Sequence, residues 1–245
     1  MRYQQLQIFR PLISKNITQK FGENRACVDG YGRIYGVKAG QRCPMSFYES
    51  IGMKGHNGYD ISAILGEEVY HAGTFNGWWR TEVDKAGGIG VDVVSNEPLF
   101  FPFPIPTELI RTAVPYEQDG VFGFLHHVKM RYWHLYAPVG YNKKQVTCGT
   151  VIGQAGNTGA SSGTHLHFKP KWCLKTGEGV ASSNGYTGAF DLEPYYSNSI
   201  TAKDHATWLQ TKVVPLSDIE RKDMIESLSK ANRLLLELQK LIHKV

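Results

Sequence analysis

From about Ile17 to Pro194, apolar residues come in short runs and almost never at helical spacing. "ITQKFG", "EEVYHAG", "GVDVVSN", "VKMRYWHL", "TVIGQAG" and "THLHFKP" are β-rich and are bounded by Gly, Asn or Pro. β-Branched and aromatic side chains pack well on a pleated surface and lose freedom in a helix. The pattern therefore predicts a mainly β region, an antiparallel sheet core, within a chain of 245 residues. Two stretches break the rhythm. Residues 23–54 are rich in Gly and Tyr, and residues 97–127 include "PLFFPFPIP", whose prolines exclude a central strand. Both are expected to be long loop insertions, which in compact domains more often carry function than not.

Beyond about Thr211 the character changes. "SDIERKDMIESLSKANRLLLELQKLIHKV" contains no glycine, and Ser217 with Glu220 matches a capping box at a helix start. Met224, Leu228, Ala231, Leu235, Leu238, Ile242 and Val245 then alternate spacings of four and three, a seam of about three heptads. The expected division is a β domain over residues 1–210 and a C-terminal amphipathic α-helix over 211–245. That helix either forms a coiled coil between copies, giving a homo-oligomer, or folds back on its own β domain.

Composition excludes little. Hydrophobic residues at 42% and charged residues at 20% suit a folded soluble protein, and a formal charge of +5 suits an anionic partner or plain solubility equally. No apolar run is long enough to span a bilayer, so no membrane insertion is expected. The N-terminal "MRYQQLQIFRPLISKNITQKFG" holds no apolar stretch of signal-peptide length. The cysteines, Cys27, Cys43, Cys148 and Cys173, show no CxxC spacing. Cys27 and Cys43 flank a Gly-rich loop and suit a bridge in an oxidising compartment; without a leader, free thiols are expected. "GNTGASSG" lacks the lysine and following helix of a phosphate-binding loop, and no nucleic-acid partner is expected.

The chemistry lies in three segments. In "SSGTHLHF", a strand would put His165 and His167 on one face and send Leu166 and Phe168 into the core. In "GHNGYDIS", His56 and Asp60 are four apart, but Gly55 and Gly58 disfavour a helix, so a turn running into a strand is expected. In "MRYWHLY", regular alternation would put Tyr132, His134 and Tyr136 on one face, opposite Trp133 and Leu135. Two imidazoles and a carboxylate form the donor set of catalytic zinc sites, where three protein ligands leave a position for water. Bound zinc brings that water's pKa toward about 7, and further histidines beside it could take its proton or stabilise an oxyanion.

HxxxD, a downstream His in an aromatic-HL setting and a Gly/Ser/Thr-rich turn into HLHF resemble, in that order, the lysostaphin/LytM-type zinc endopeptidases. The flanking "ITQKFG", "GEEVYHAGTFNG" and "CGTVIGQAGNTGASSGTHLHF" resemble them too. The resemblance implies one Zn²⁺ per chain held by His56, Asp60 and His167, with His134 and His165 as non-ligand catalytic histidines. It also implies a core of the duplicated-hybrid-motif type, with the site in a groove between loops. The implied activity is hydrolysis of peptide bonds in bacterial peptidoglycan, outside the cytoplasm. The missing leader would fit a phage lysin released by a holin or a virion-associated wall hydrolase.

Three rivals come from other classes. They are an inactive relative that binds wall peptides or activates another hydrolase, a histidine phosphocarrier, and a virion structural component. No ligand is missing from the motif, and a carrier has no use for His56 and Asp60 with His167. His71, His126, His127, His205 and His243 are expected to be structural or surface residues, with His126–His127 the weakest of these because it abuts an insertion. Tyr59, Tyr132 and Tyr136 are expected to pack rather than touch substrate.

Overall fold

One eighteen-residue strand, Val121–Pro138, carries most of the sheet. The computed structural model describes residues 1–38, 41, 43–140, 145–212, 226 and 230. Within them the strands run β1 (Ile8–Arg10), β2 (Ile17–Gln19), β3 (Ala26–Val28) and β4 (Ile34–Gly36), then a short helix, α1 (Phe47–Ser50). There follow β5 (Tyr59–Ser62), β6 (Glu68–Tyr70), β7 (Gly77–Asp84), β8 (Gly88–Ser95), β9 (Leu99–Phe101) and β10 (Val114–Gln118). The long strand is β11; β12 (Val151–Ala155), β13 (His165–Cys173), β14 (Tyr196–Thr201) and α2 (Ala202–Lys212) complete the order.

The main sheet is antiparallel throughout, in the order β2-β5-β13-β11-β12-β6, with β8, β9 and β10 also paired to β11 and β7 to β8. Smaller two-stranded pairs join β1 to β14 and β3 to β4. The core lies under the sheet, where Ile61, Val91, Met130, Tyr132, Leu166 and Phe168 are fully or almost fully buried. Mainly antiparallel β is thus what the strand rhythm called for.

The insertion at 97–127 is not a loop. Its β9 and β10 pair with the first half of β11 and bury Phe100, Phe101, Leu109 and Phe124. The prolines are accommodated because Pro98 and Pro102 flank the three-residue β9, Pro104 and Pro106 lie in the connection from β9 to β10, and Pro115 sits in a strand whose one ladder is to β11. The insertion at 23–54 is also built, as the β3–β4 hairpin and α1, capped by the Ser46 hydroxyl. Cys27 and Cys43 are joined in a disulfide across it, against the expectation of free thiols; Cys148 and Cys173 are free. An isolated bridge between Cys27 and Ser46 lays the segment that carries Cys43 beside β3, and the two cysteine Cα atoms are 5.7 Å apart, within bridging distance.

The C-terminal helix predicted over Ser217–Val245, with its heptad seam, lies outside the described residues apart from Glu226 and Lys230, both helical. By internal packing the chain divides into units Met1–Ala206 and Thr207–Val245. The helix α2 was not anticipated. Its start is fixed by Thr201, whose hydroxyl accepts from the Asp204 amide at 3.0 Å and donates to the Asp204 carboxylate at 2.6 Å. Among the described residues, no helix is long and apolar enough to cross a membrane.

Candidate metal centre

β5 and β13 pair with Asp60 opposite His167, Ile61 opposite Leu166 and Ser62 opposite His165. Because faces alternate, burial of Ile61, Leu166 and Phe168 in the core forces Asp60, His165 and His167 onto the opposite face. His56 reaches the same point from the turn before β5. That turn is pinned by backbone bonds from the Gly22 amide to the His56 carbonyl and from the His56 amide to the Glu23 carbonyl.

Three donor atoms converge. His56 Nε2 lies 2.8 Å from His167 Nδ1 and 3.1 Å from Asp60 Oδ1, and His167 Nδ1 lies 2.9 Å from Asp60 Oδ1. The Nδ1 of His56 faces the Lys20 carbonyl at 3.2 Å, so its proton belongs there and Nε2 presents a lone pair. Burial alone would raise the Asp60 carboxyl, but the facing His56 and His167 hold it well below the usual carboxylate range. Burial pushes His167 the other way, well below the ordinary histidine value, so its neutral form is favoured. A carboxylate oxygen and two imidazole lone pairs at this separation cannot satisfy one another, whereas one cation between them satisfies all three. Donors about 2.0 Å from a tetrahedral ion are about 3.3 Å apart, a few tenths of an ångström more than here, so the set fits zinc.

The other two predicted histidines flank this point. His134 and His165 have ring centroids 4.6 Å apart, and His165 Nε2 is 3.7 Å from Asp60 Oδ1. His165 Nδ1 faces the Gly163 carbonyl at 2.8 Å and His134 Nδ1 the Thr158 carbonyl at 2.7 Å. Each carbonyl takes the Nδ1 proton and leaves a lone pair on Nε2. Burial, then neighbouring His165, pushes His134 down to about 4, so it is neutral at pH 7.

His134 arrives by a route that strand alternation does not give. Its φ is +63°, left-handed for a non-glycine residue, and the β11–β8 register shifts between Tyr132 and Leu135. The bulge puts Trp133 and His134 side by side on the groove, while Tyr132 and Leu135 are both buried in the core. The expected face of Tyr132, His134 and Tyr136 is therefore wrong. The Tyr132 hydroxyl accepts from the Ala72 amide at 2.8 Å, and Tyr136 is exposed. Gly87 and Gly90 make the bulge possible, since a Cβ on either would stand 2.2 or 2.4 Å from the Trp133 indole.

The centre opens into a groove of about 620 Å³, walled by Tyr35, Phe47 and Tyr48 of the 23–54 insertion and by Trp133 opposite. Two features were missed at the level of sequence. A Cβ on Gly58 would lie 2.6 Å from the Phe168 carbonyl and 2.9 Å from the His167 ring, so glycine there is what lets His167 sit where it does. Beside it, the buried Lys169 donates to the Asn57 side-chain carbonyl at 2.7 Å. Neither carries a motif. Of the remaining histidines, His71 bonds Tyr132 and Phe75 in the core, His126 bonds Thr112, and His205 stacks on Phe9.

No family model matches the chain, and no curated protein matches it significantly. Solved structures do. A zinc-containing peptidase from Vibrio cholerae aligns with a TM-score of 0.41 and 19% identity over 74% of this chain, which spans 37% of that one. The catalytic domain of the antimicrobial peptidase lysostaphin from Staphylococcus simulans aligns at 0.35 and 18%, over 74% of this chain and 91% of that domain. The SpoIIQ–SpoIIIAH pore-forming complex aligns at 0.41 and 16%, over 78% and 92%. Identities this low do not extend to activity.

Proposed function

We propose that this chain is a zinc-dependent endopeptidase of the lysostaphin/LytM type that hydrolyses peptide bonds in bacterial peptidoglycan, acting at the wall outside the cytoplasm. The observation that carries the reading is the meeting of His56 Nε2, Asp60 Oδ1 and His167 Nδ1 within 2.8–3.1 Å on a groove floor, with the Nε2-facing His134 and His165 beside them. His56, Asp60 and His167 would hold the ion; when bound, it supplies a water acidic enough to lose a proton near neutrality and polarises a carbonyl. His165 and His134 each offer an Nε2 lone pair to take a proton from the attacking water. The imidazolium so formed can donate from the same nitrogen to the developing oxyanion or to the leaving amine. The carbonyls of Thr158 and Gly163 keep both rings in the competent tautomer. A peptide lying along β13 would present its carbonyl over the centre between Trp133 and the insertion wall.

The test is digestion of purified peptidoglycans of several cross-link types by the zinc-loaded protein, with the new termini identified by mass spectrometry. New amino termini within stem peptides or cross-bridges are expected. Wall binding without cleavage would favour an inactive wall-binding or hydrolase-activating protein instead.

A further inference from the structure

The groove floor does not end at the metal ligands. Two and four residues beyond His167 on the same face of β13 come Lys169 and Lys171, and across the ladder Arg131 pairs with Lys169 and Lys129 with Lys171. All but one of these cations are already engaged. Arg131 grips the fully buried Asp92 with bonds of 2.5 and 2.7 Å, Lys129 reaches the same carboxylate at 2.9 Å, and Lys169 holds Asn57. Lys171 lines the groove and, among the described residues, its ammonium has no hydrogen bond and no ion pair. The other carboxylate on the groove besides Asp60 is Asp84, which accepts from the Gly87 amide. It lies at the far end: Lys171 is in register with Lys129, Val94 and Trp78, and Asp84 is six residues along β7 from Trp78. One carboxylate, Asp92, thus serves Arg131 and Lys129, and the Lys171 charge is left facing the groove.

We propose that Lys171, supported by the Arg131–Lys169 rung, is a specificity-determining cation that binds a carboxylate on the peptide substrate, about two to four residues from the bond that is cut. The distance follows from strand geometry, since a peptide running along β13 advances about 3.3 Å per residue, as the strand itself does. Burial, then Arg131 and Lys129, brings the Lys171 ammonium down to about 8, which leaves it largely charged at pH 7 and short of a counter-ion. The substrate is then an acidic peptide, free in its carboxylate rather than amidated. This rests on reading the groove as a peptide site.

The experiment measures binding by titration calorimetry at pH 7, so that its outcome does not depend on turnover. The probes are Ac-Ala-Ala-Ala-Ala-OH, its C-terminal amide, and Ac-Ala-Ala-Glu-Ala-NH2, which separate a terminal from a side-chain carboxylate. At least one acidic probe should bind the zinc-loaded protein about tenfold more tightly than the neutral amide, as a charge-assisted hydrogen bond allows. The preference should fall to about twofold or less in Lys171→Gln, survive in Lys171→Arg, and survive in His167→Ala. Equal binding of the three probes by the wild type overturns the proposal. So does a preference unchanged in Lys171→Gln, and so does one absent from His167→Ala, which would put the carboxylate on the metal. If wall peptides are not cut while the acidic probes are still selected, the peptidase reading fails, and what stands is Lys171 as the carboxylate-binding cation of a peptide groove.

Discussion

Of the three candidate ligands, His167 has the least freedom, held on a paired strand with its ring against Gly58 and its Nδ1 within 2.9 Å of two partners. Removing it leaves two donors, too few to retain zinc against water. His167→Ala is expected to lose most of its metal by elemental analysis, and full occupancy would show that the ligand set is wrong. His134→Ala and His165→Ala should behave oppositely, because neither completes the shell. They are expected to keep zinc and lose about 10²–10⁴-fold in rate, the usual contribution of a positioned acid–base group. That His134 and His165 would stand beside His167 was implied by the motif resemblance, whereas the +63° φ that delivers His134 was not: nothing in "MRYWHLY" marks a bulge. A fourth residue bears on acid stability. His71 is fully buried, its Nε2 faces the Phe75 carbonyl at 3.2 Å, and its Nδ1 lies 3.1 Å from a Tyr132 hydroxyl that already accepts from Ala72. That hydroxyl must donate to Nδ1, so the ring is neutral, and burial pushes it down to about 4. The unfolded chain takes up this proton near pH 6.5 and the folded chain does not until about pH 4, so stability falls as pH drops through that window. The slope is about 1.4 kcal/mol per pH unit for one proton. Denaturant unfolding of metal-free protein should therefore weaken more steeply between pH 6.5 and 4.5 than that of His71→Gln; parallel slopes would refute the assignment.

At the scale of elements, the β5–β13 ladder turns a sequence pattern into a site. Alternation was enough to foresee that His165 and His167 leave the core while Leu166 and Phe168 enter it, because burial of one face fixes the other. Alternation failed on β11, where the bulge resets the face after Trp133. It also said nothing of the insertion at 97–127, where Pro98 and Pro102 flank β9, Pro115 occupies a strand with one ladder, and Pro104 and Pro106 lie in the connection between them; composition alone does not separate that from a loop. The contact between Gly58 and His167 is the element-level counterpart of a metal-ligand bond. Alanine there would collide with the Phe168 carbonyl at 2.6 Å and with the ligand ring at 2.9 Å, so either the ladder opens or the imidazole turns away. Gly58→Ala is expected to lower zinc affinity about 10–100-fold, the range found when the support of a ligand is disturbed. Competition with a chelator reads the affinity, and circular dichroism verifies that the sheet is intact. Unchanged affinity would mean that His167 is positioned by its ladder alone.

For the whole molecule the question is which parts the chemistry needs. Every candidate ligand and catalytic histidine lies between His56 and His167, inside the unit Met1–Ala206, and the groove wall is closed locally by the Cys27–Cys43 disulfide. The sequence pattern after Thr211 is of another kind. Leu228, Leu235 and Ile242 at one seam position, and Met224, Ala231, Leu238 and Val245 at the other, suit a partner helix, while Leu234 and Leu241 widen the stripe. A stripe of that width can be buried by a second copy of the chain or by its own β domain, and periodicity cannot choose between them because both remove the same residues from water. No candidate ligand lies in that segment. A chain ending at Pro215 is accordingly expected to stay folded, to bind one zinc and to cut small soluble wall peptides at the full-length rate. If the stripe serves association, light scattering should also show the shortened chain smaller than the full one by far more than the mass removed. Equal oligomeric state in the two chains would exclude association through the helix. Precipitation or loss of zinc on shortening would show that the stripe belongs to the β domain's own core.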